Sequence, residues 1–109
     1  MAERAVVNVK YILWYLLGGT RGGEMRVKIL SELRKRPYNT NQLTELLGVD
    51  YNTIKYHLKL LSGNQLITSQ EKRYGTLYFI SPLLEANMGT FEEILNKSGI
   101  KYKSREGKK

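Results

Sequence analysis

The first apolar pattern runs from about Val6 to Leu17. Val6, Val9, Leu13 and Leu16 recur at helical spacing on one side, while Tyr11, Trp14 and Tyr15 fall on another. A helix that is apolar on two sides needs cover on both, so this one is either central to the core or shared with a second subunit. Gly18-Gly19 stop it. After a loop from Thr20 to Gly23, a second helix is predicted from Glu24 to Arg36, with Ile29, Leu30 and Leu33 inward. Glu24 suits the positive end of its dipole, Arg34, Lys35 and Arg36 suit the negative end, and Pro37 closes it. The basic triplet reads equally as a solvated helix end and as a phosphate contact.

A third, short helix is predicted from Asn39 to Leu47, capped by Asn39 or Thr40. Asn39 and Gln42 have capping-box spacing, and Leu43, Leu46 and Leu47 supply the apolar face. Gly48-Val49 turns the chain, Asp50 caps a fourth helix running to about Ser62, and Gly63-Asn64 closes it with residues that tolerate a left-handed backbone. From Leu66 the period becomes two: 66–69 and 76–80 are β-rich runs around a polar tip, Gln70 to Gly75, which predicts a hairpin. Ser81-Pro82 then opens a last helix in which Leu84, Met88, Phe91 and Leu95 form a heptad seam up to Gly99. Residues 1–99 are expected to form one domain, and 100–109 a basic tail without fixed structure.

This order of elements is that of a winged helix-turn-helix, mainly α within the α+β class, with a two-stranded wing. The fourth helix carries the chemistry. At 100° per residue, Asn52, Lys55, Tyr56 and Lys59 share one arc, and Ile54, His57, Leu58 and Leu61 share the opposite one. An amide, a phenol and two cations suit base edges and phosphates in a major groove; the plainer alternative is a solvated face. The turn before this helix and the hairpin after it favour DNA. The lone histidine, on the apolar arc, reads as a packed, hydrogen-bonded core residue rather than a ligand or pH sensor.

Composition narrows the choice. The chain has 109 residues and a formal charge of +8, which points to an anionic partner. The excess is uneven: residues 82–96 carry a net charge of −3 between basic segments, which argues against a polycation that coats any phosphate surface. There is no cysteine and one histidine. Disulfides, thiolate metal sites and cysteine nucleophiles are therefore excluded, and no metal or other cofactor is expected. The apolar run Tyr11–Leu17 reaches roughly 10 Å as helix, far short of the roughly 30 Å of a bilayer core. Gly18-Gly19-Thr20-Arg21 makes a poor signal-peptide cleavage region. A cytoplasmic protein is expected, with no membrane partner. No acid pair, nucleophile–base pair or phosphate loop stands out, so an enzyme is not expected.

The stretch 41–61 resembles the helix-turn-helix of ArsR-type winged-helix transcription regulators. The matching positions are Leu43, Leu47 and Gly48 at the turn, then Ile54, His57, Leu58 and Leu61. The apolar first helix leading into Gly-Gly-Thr-Arg-Gly-Gly (18–23), with Arg-Pro-Tyr-Asn at 36–39, looks like an archaeal branch of these regulators. The resemblance implies a homodimer joined through its terminal helices, with one recognition helix per subunit in double-stranded DNA. It departs from the family in lacking the cysteine and histidine clusters of metal-sensing members. It also has Gln65 where relatives carry glycine before the wing, so Gly63-Asn64 is expected to make that turn.

The residues expected at DNA are Thr40, Asn41, Tyr51, Asn52, Thr53, Lys55, Tyr56, Lys59, Lys72 and Arg73, with Tyr74 beside the last two. Those expected at the dimer interface are Leu13, Trp14, Leu17, Leu84, Met88, Phe91 and Leu95. The aromatic first helix could instead line a small effector pocket, although packing is the commoner use. A protein-interaction module within a transcription complex is the alternative function, since one fold serves both. An RNA-binding variant is a weaker third.

Overall fold

The computed structural model describes residues 8–100; the expected helix start at Val6 and the basic segment 101–109 lie outside them. The first helix, α1 (Val9–Leu13), is capped by the Asn8 side chain, which accepts from the Tyr11 amide. It continues into a π-helical segment, Trp14–Gly18, which the sequence pattern does not distinguish from an α-helix. Leu13, Leu16 and Leu17, at i, i+3 and i+4 spacing, enter the core, while Tyr11 and Tyr15 stay outside. Its terminal carbonyls are taken by side chains: Thr20 Oγ1 donates to the Tyr15 carbonyl and Arg26 Nε to that of Leu16.

Helix α2 (Gly23–Leu33) starts directly against this end. A Cβ at Gly23 would run into the Leu17 carbonyl, so the close approach requires glycine there. The helix is shorter than predicted, and Arg34, Lys35 and Arg36 form the turn after it. Each of the three has a local role: Arg34 pairs with Glu92 at 2.9 Å, Lys35 lies 3.6 Å from buried Glu32, and the Arg36 guanidinium sits over the Tyr38 ring.

Helix α3 (Thr40–Leu47) has the full capping box, with Asn39 and Gln42 each satisfying the other's backbone amide at 2.8 Å. Gly48 ends it with φ 71°. Asp50 caps α4 (Tyr51–Gly63), accepting from the Thr53 amide and hydroxyl. Ile54, His57, Leu58 and Leu61 are the buried residues of α4.

The expected turn after α4 is corrected. Gly63 is still helical and Asn64 has φ −101°, whereas Gln65 takes the left-handed conformation, with φ 62°. The Leu66 amide donates to the Leu61 carbonyl and the Gln65 amide to that of Ser62, a Schellman motif with Gln65 in the position glycine usually fills. Leu61 and Leu66, both fully buried, make the apolar contact of that motif.

Strands β1 (Ile67–Lys72) and β2 (Gly75–Ile80) pair antiparallel, with Ile67 opposite Ile80 and Lys72 opposite Gly75. The strands absorb Gln70–Lys72, so the tip is only Arg73-Tyr74, and Gly75 (φ 122°) supplies the positive φ that closes it. The wing is tied back to the α3 cap by one bridge, in which the Tyr78 amide donates to the Tyr38 carbonyl.

The predicted last helix is two. Helix α5 (Pro82–Glu85) gives way to a turn in which the Asn87 side-chain amide donates to the Leu83 carbonyl, and α6 (Met88–Ser98) begins anew. The heptad seam is therefore not one straight stripe. Leu84, Phe91 and Ile94 are fully buried in the core of their own chain, which also holds Leu13, Leu17, Leu30, Leu43 and Leu58. The fold is a mainly helical winged helix-turn-helix, with a two-stranded antiparallel wing.

Candidate nucleic-acid interface

The outward arc of α4 is open. Asn52, Lys55, Tyr56 and Lys59 are all exposed, Tyr56 by 60%. The arc follows from its opposite: once Ile54, Leu58 and Leu61 are committed to the core, helical geometry turns these four to solvent. Tyr51 is also exposed, and the Lys55 ammonium lies 5.8 Å from the centre of its ring. Thr53 is different. Its hydroxyl donates to Asp50 at 2.6 Å, so it serves the cap rather than facing outward free. The same bond, with the Thr53 amide second, holds the Asp50 carboxyl below its ordinary range.

A cleft of about 310 Å³ lies between the start of α3, the first half of α4 and the wing. It brings together Thr40, Asn41, Tyr51 and Lys55 from the expected set. It also gathers Asn39, Tyr74, Thr76 and Tyr78, of which sequence reasoning named only Tyr74. Tyr78 had no local signal: its place depends on the Tyr38 bridge, forty residues back in the chain. Lys72 and Arg73 stand exposed at the wing tip, outside the cleft, with the Arg73 guanidinium 6.0 Å from the Tyr74 ring. Asn52, Tyr56 and Lys59 do not line the cleft either. The surface is thus an arc and a cleft, side by side on α4.

Sequence reasoning also missed a buried cation. Arg26 is only 2% exposed and His57 6%, and Arg26 Nη1 lies 3.1 Å from His57 Nδ1. Burial first, and the Arg26 charge second, push the imidazole below its ordinary pKa. Burial likewise lowers the guanidinium, against the opposing effect of the Tyr56 and Tyr15 phenols.

Of the expected dimer residues, Leu13, Leu17, Leu84 and Phe91 are buried within one chain, whereas Trp14, Met88 and Leu95 are half-buried. Tyr11 and Tyr15 stack on each other at 6.5 Å and are exposed by 66% and 55%. Among the described residues, no group of three or more His, Cys, Asp or Glu is placed to hold a metal ion. No helix there is long and apolar enough to cross a membrane.

No curated protein matches the chain. A crystal structure of a probable transcriptional regulator from Pseudomonas aeruginosa has a similar fold, with a TM-score of 0.59 at 21% identity. That likeness covers 89% of this chain and 79% of the other. The sequence pattern of the bacterial regulatory protein, arsR family, matches residues 23–69, from the start of α2 into β1. The fold is accordingly a winged helix-turn-helix whose residues 23–69 are similar to the helix-turn-helix domain of the arsR family.

Proposed function

We propose that the chain is a sequence-specific, double-stranded DNA-binding transcription regulator that acts as a homodimer without catalysis. Helix α4 lies in the major groove, and the wing meets the backbone or the minor groove. The observation that carries this reading is the exposed amide–cation–phenol arc of α4 beside a polar cleft closed by the wing. The similarity of residues 23–69, which include α3 and α4, to the arsR family supports it. Asn52 and Tyr56 face base edges, and asparagine suits a bidentate contact to adenine. Lys59, one turn further on, holds phosphate, as do Lys72 and Arg73 at the wing tip. Thr40, Asn41, Tyr51 and Lys55 take backbone in the cleft, and the basic segment 100–109 adds attraction that does not read sequence.

The test begins with a duplex selected from random sequence. Asn52→Ala should relax preference for that duplex, by about 1–3 kcal/mol, and leave scrambled DNA bound as before. Lys59→Ala should weaken both duplexes alike and lower the salt slope by about one. If both variants bind as the parent does, the arc is a solvated face. The protein-interaction reading would then take the lead, and an open hollow of about 330 Å³ beside Tyr56, Leu60 and Gly63 is the feature in its favour.

A further inference from the structure

Arg26 sits in the first turn of α2 and reaches three other parts of the fold. Its Nε donates to the Leu16 carbonyl at the end of the π-helical segment, at 2.8 Å. Its Nη2 donates to Thr20 Oγ1 at 2.9 Å and to the Arg21 carbonyl at 3.2 Å, both in the loop. Its Nη1 faces His57 Nδ1, on α4. A guanidinium has donors only, so Nδ1 must accept, and the proton of the neutral ring stays on Nε2. The loop is folded onto the pair: a Cβ at Gly22, where φ is 90°, would lie 3.0 Å from both Arg26 Nη1 and His57 Cε1.

None of these partners is a carboxylate. The charge is instead met by the Leu16 carbonyl, at the negative end of the first helix, and by the Thr20 hydroxyl and Arg21 carbonyl of the loop. A buried cation is costly to desolvate, and for stability alone an apolar side chain would serve as well, as Ile54, Leu58 and Leu61 do along the rest of the stripe. What the guanidinium adds is direction. The buried leucines decide which face of α4 turns inward; a hydrogen bond to one ring nitrogen narrows the remaining freedom of roll to a few degrees. His57 is the immediate neighbour of Tyr56, with the two rings edge-on at 5.1 Å, and Tyr56 belongs to the outward arc. A roll of about 20° would carry a side-chain tip roughly 6 Å from the axis through about 2 Å, enough to break a bidentate base contact.

We propose that Arg26 is a positioning residue for base reading: by holding His57 it fixes the roll of α4 on the end of the first helix, and so aims Asn52 and Tyr56. The inference rests on the DNA-binding reading above. It places the Thr20-Arg21-Gly22-Gly23 loop and Arg26 in the service of the recognition helix, although none of them lines the cleft.

The test compares His57→Leu, which fills the site without an acceptor, with His57→Asn, whose amide oxygen can stand where Nδ1 stands and does not titrate. Thr20→Val removes one anchor of the guanidinium, together with the hydroxyl's bond to the Tyr15 carbonyl, and changes no residue of α4, so it covers the case in which His57→Leu does not fold. Binding to the selected and scrambled duplexes is measured at pH 7.5. His57→Leu should lose about tenfold in discrimination, the worth of one bidentate contact, with scrambled DNA bound as by the parent. His57→Asn should restore most of that, and Thr20→Val should lose part of it. Equal losses on both duplexes, no rescue by asparagine, or unchanged discrimination in both His57→Leu and Thr20→Val would overturn the proposal. A crystal structure of a folded His57→Leu or Thr20→Val variant gives an answer independent of DNA: α4 in the parent's roll overturns the positioning role. A parent that prefers no duplex overturns the DNA reading instead.

Discussion

Gln65 shows what a single residue accepts when its neighbours have stronger demands. It is the one described residue other than glycine with a positive φ, a conformation that costs an L-residue about 1–2 kcal/mol. Gly63 and Asn64 stand just before it and would have taken that conformation more cheaply. Placing the turn there would move Leu66 out of the position facing Leu61, and Leu66 and Ile67 would leave the core, where they are 0% and 2% exposed. Burial of those two side chains outweighs the strain. Gln65→Gly should therefore raise stability by about 1 kcal/mol, the relief of strain less the added freedom of the unfolded chain. A urea melt with an unchanged midpoint would show that the strain is not there.

His57 gives a second residue-scale expectation. Its folded pKa is lowered by burial and by Arg26, so the unfolded chain takes up this proton first as pH falls. Stability from this group is complete above about pH 6.5, the unperturbed histidine value, and is lost as pH drops from there through the folded pKa. Asp50, held below its ordinary range by Thr53, adds a loss of the same sign at lower pH. Thermal melts from pH 8 downward should show the parent weakening below about pH 6.5, and His57→Asn should lack that first decline while keeping the carboxylate one.

At the scale of elements, what was legible was local. The Asn39–Gln42 and Asp50–Thr53 spacings announce their caps because three residues fix the geometry. The two arcs of α4 follow from one helical period. What was not legible depends on distant partners. Nothing near Arg26 in sequence signals a bond to a residue 31 positions away. The 4-3-4 spacing of Leu84, Met88, Phe91 and Leu95 is satisfied on paper, yet the helix breaks, because the Asn87 side chain takes the Leu83 carbonyl and its own carbonyl starts α6. Of the candidate site, the α4 arc was readable, whereas the cleft needed the wing's bridge to Tyr38. The joint between wing and α5 rests on Ser81, whose Oγ donates to the Gln65 carbonyl at 2.8 Å and accepts from the Leu84 amide at 3.0 Å. Ser81 is 3% exposed, so no water replaces it readily. Ser81→Ala should cost about 1–2 kcal/mol, at the upper end for a cap because a buried amide and a part-buried carbonyl both lose their partner. A change under half that size in denaturant titration would mean that the joint relaxes around the loss.

For the whole molecule, the question is what covers the apolar surface that one chain leaves open. Helix α6 packs against α1 and the π-helical segment, and Leu13, Leu17, Leu84 and Phe91 are used up inside the chain's own core. Trp14 is turned partly inward as well: a Cβ on Gly18 would meet its ring at 3.0 Å and Ile94 at 3.6 Å. What remains for a second copy is half-buried Trp14, Met88 and Leu95, widened by exposed Tyr11 and Tyr15. A stable interface needs about 800 Å² from each partner, which three half-buried side chains alone do not provide, so a homodimer would have to take in the stacked tyrosines as well. Phe91→Glu would be an uninformative test, because a charge at a fully buried position unfolds the chain before it separates two copies. Leu95→Glu is the informative one. Light scattering should give twice the mass of one chain for the parent and a single chain's mass for Leu95→Glu, with an unchanged far-ultraviolet circular dichroism spectrum. A parent at the mass of one chain would sink the homodimer. If the dimer holds, its two-fold axis must reappear in the DNA: the selected duplex should contain inverted half-sites about 10 base pairs apart, or a multiple of that, centre to centre. Leu95→Glu should then bind each half-site independently, because the protein link between the two recognition helices is gone.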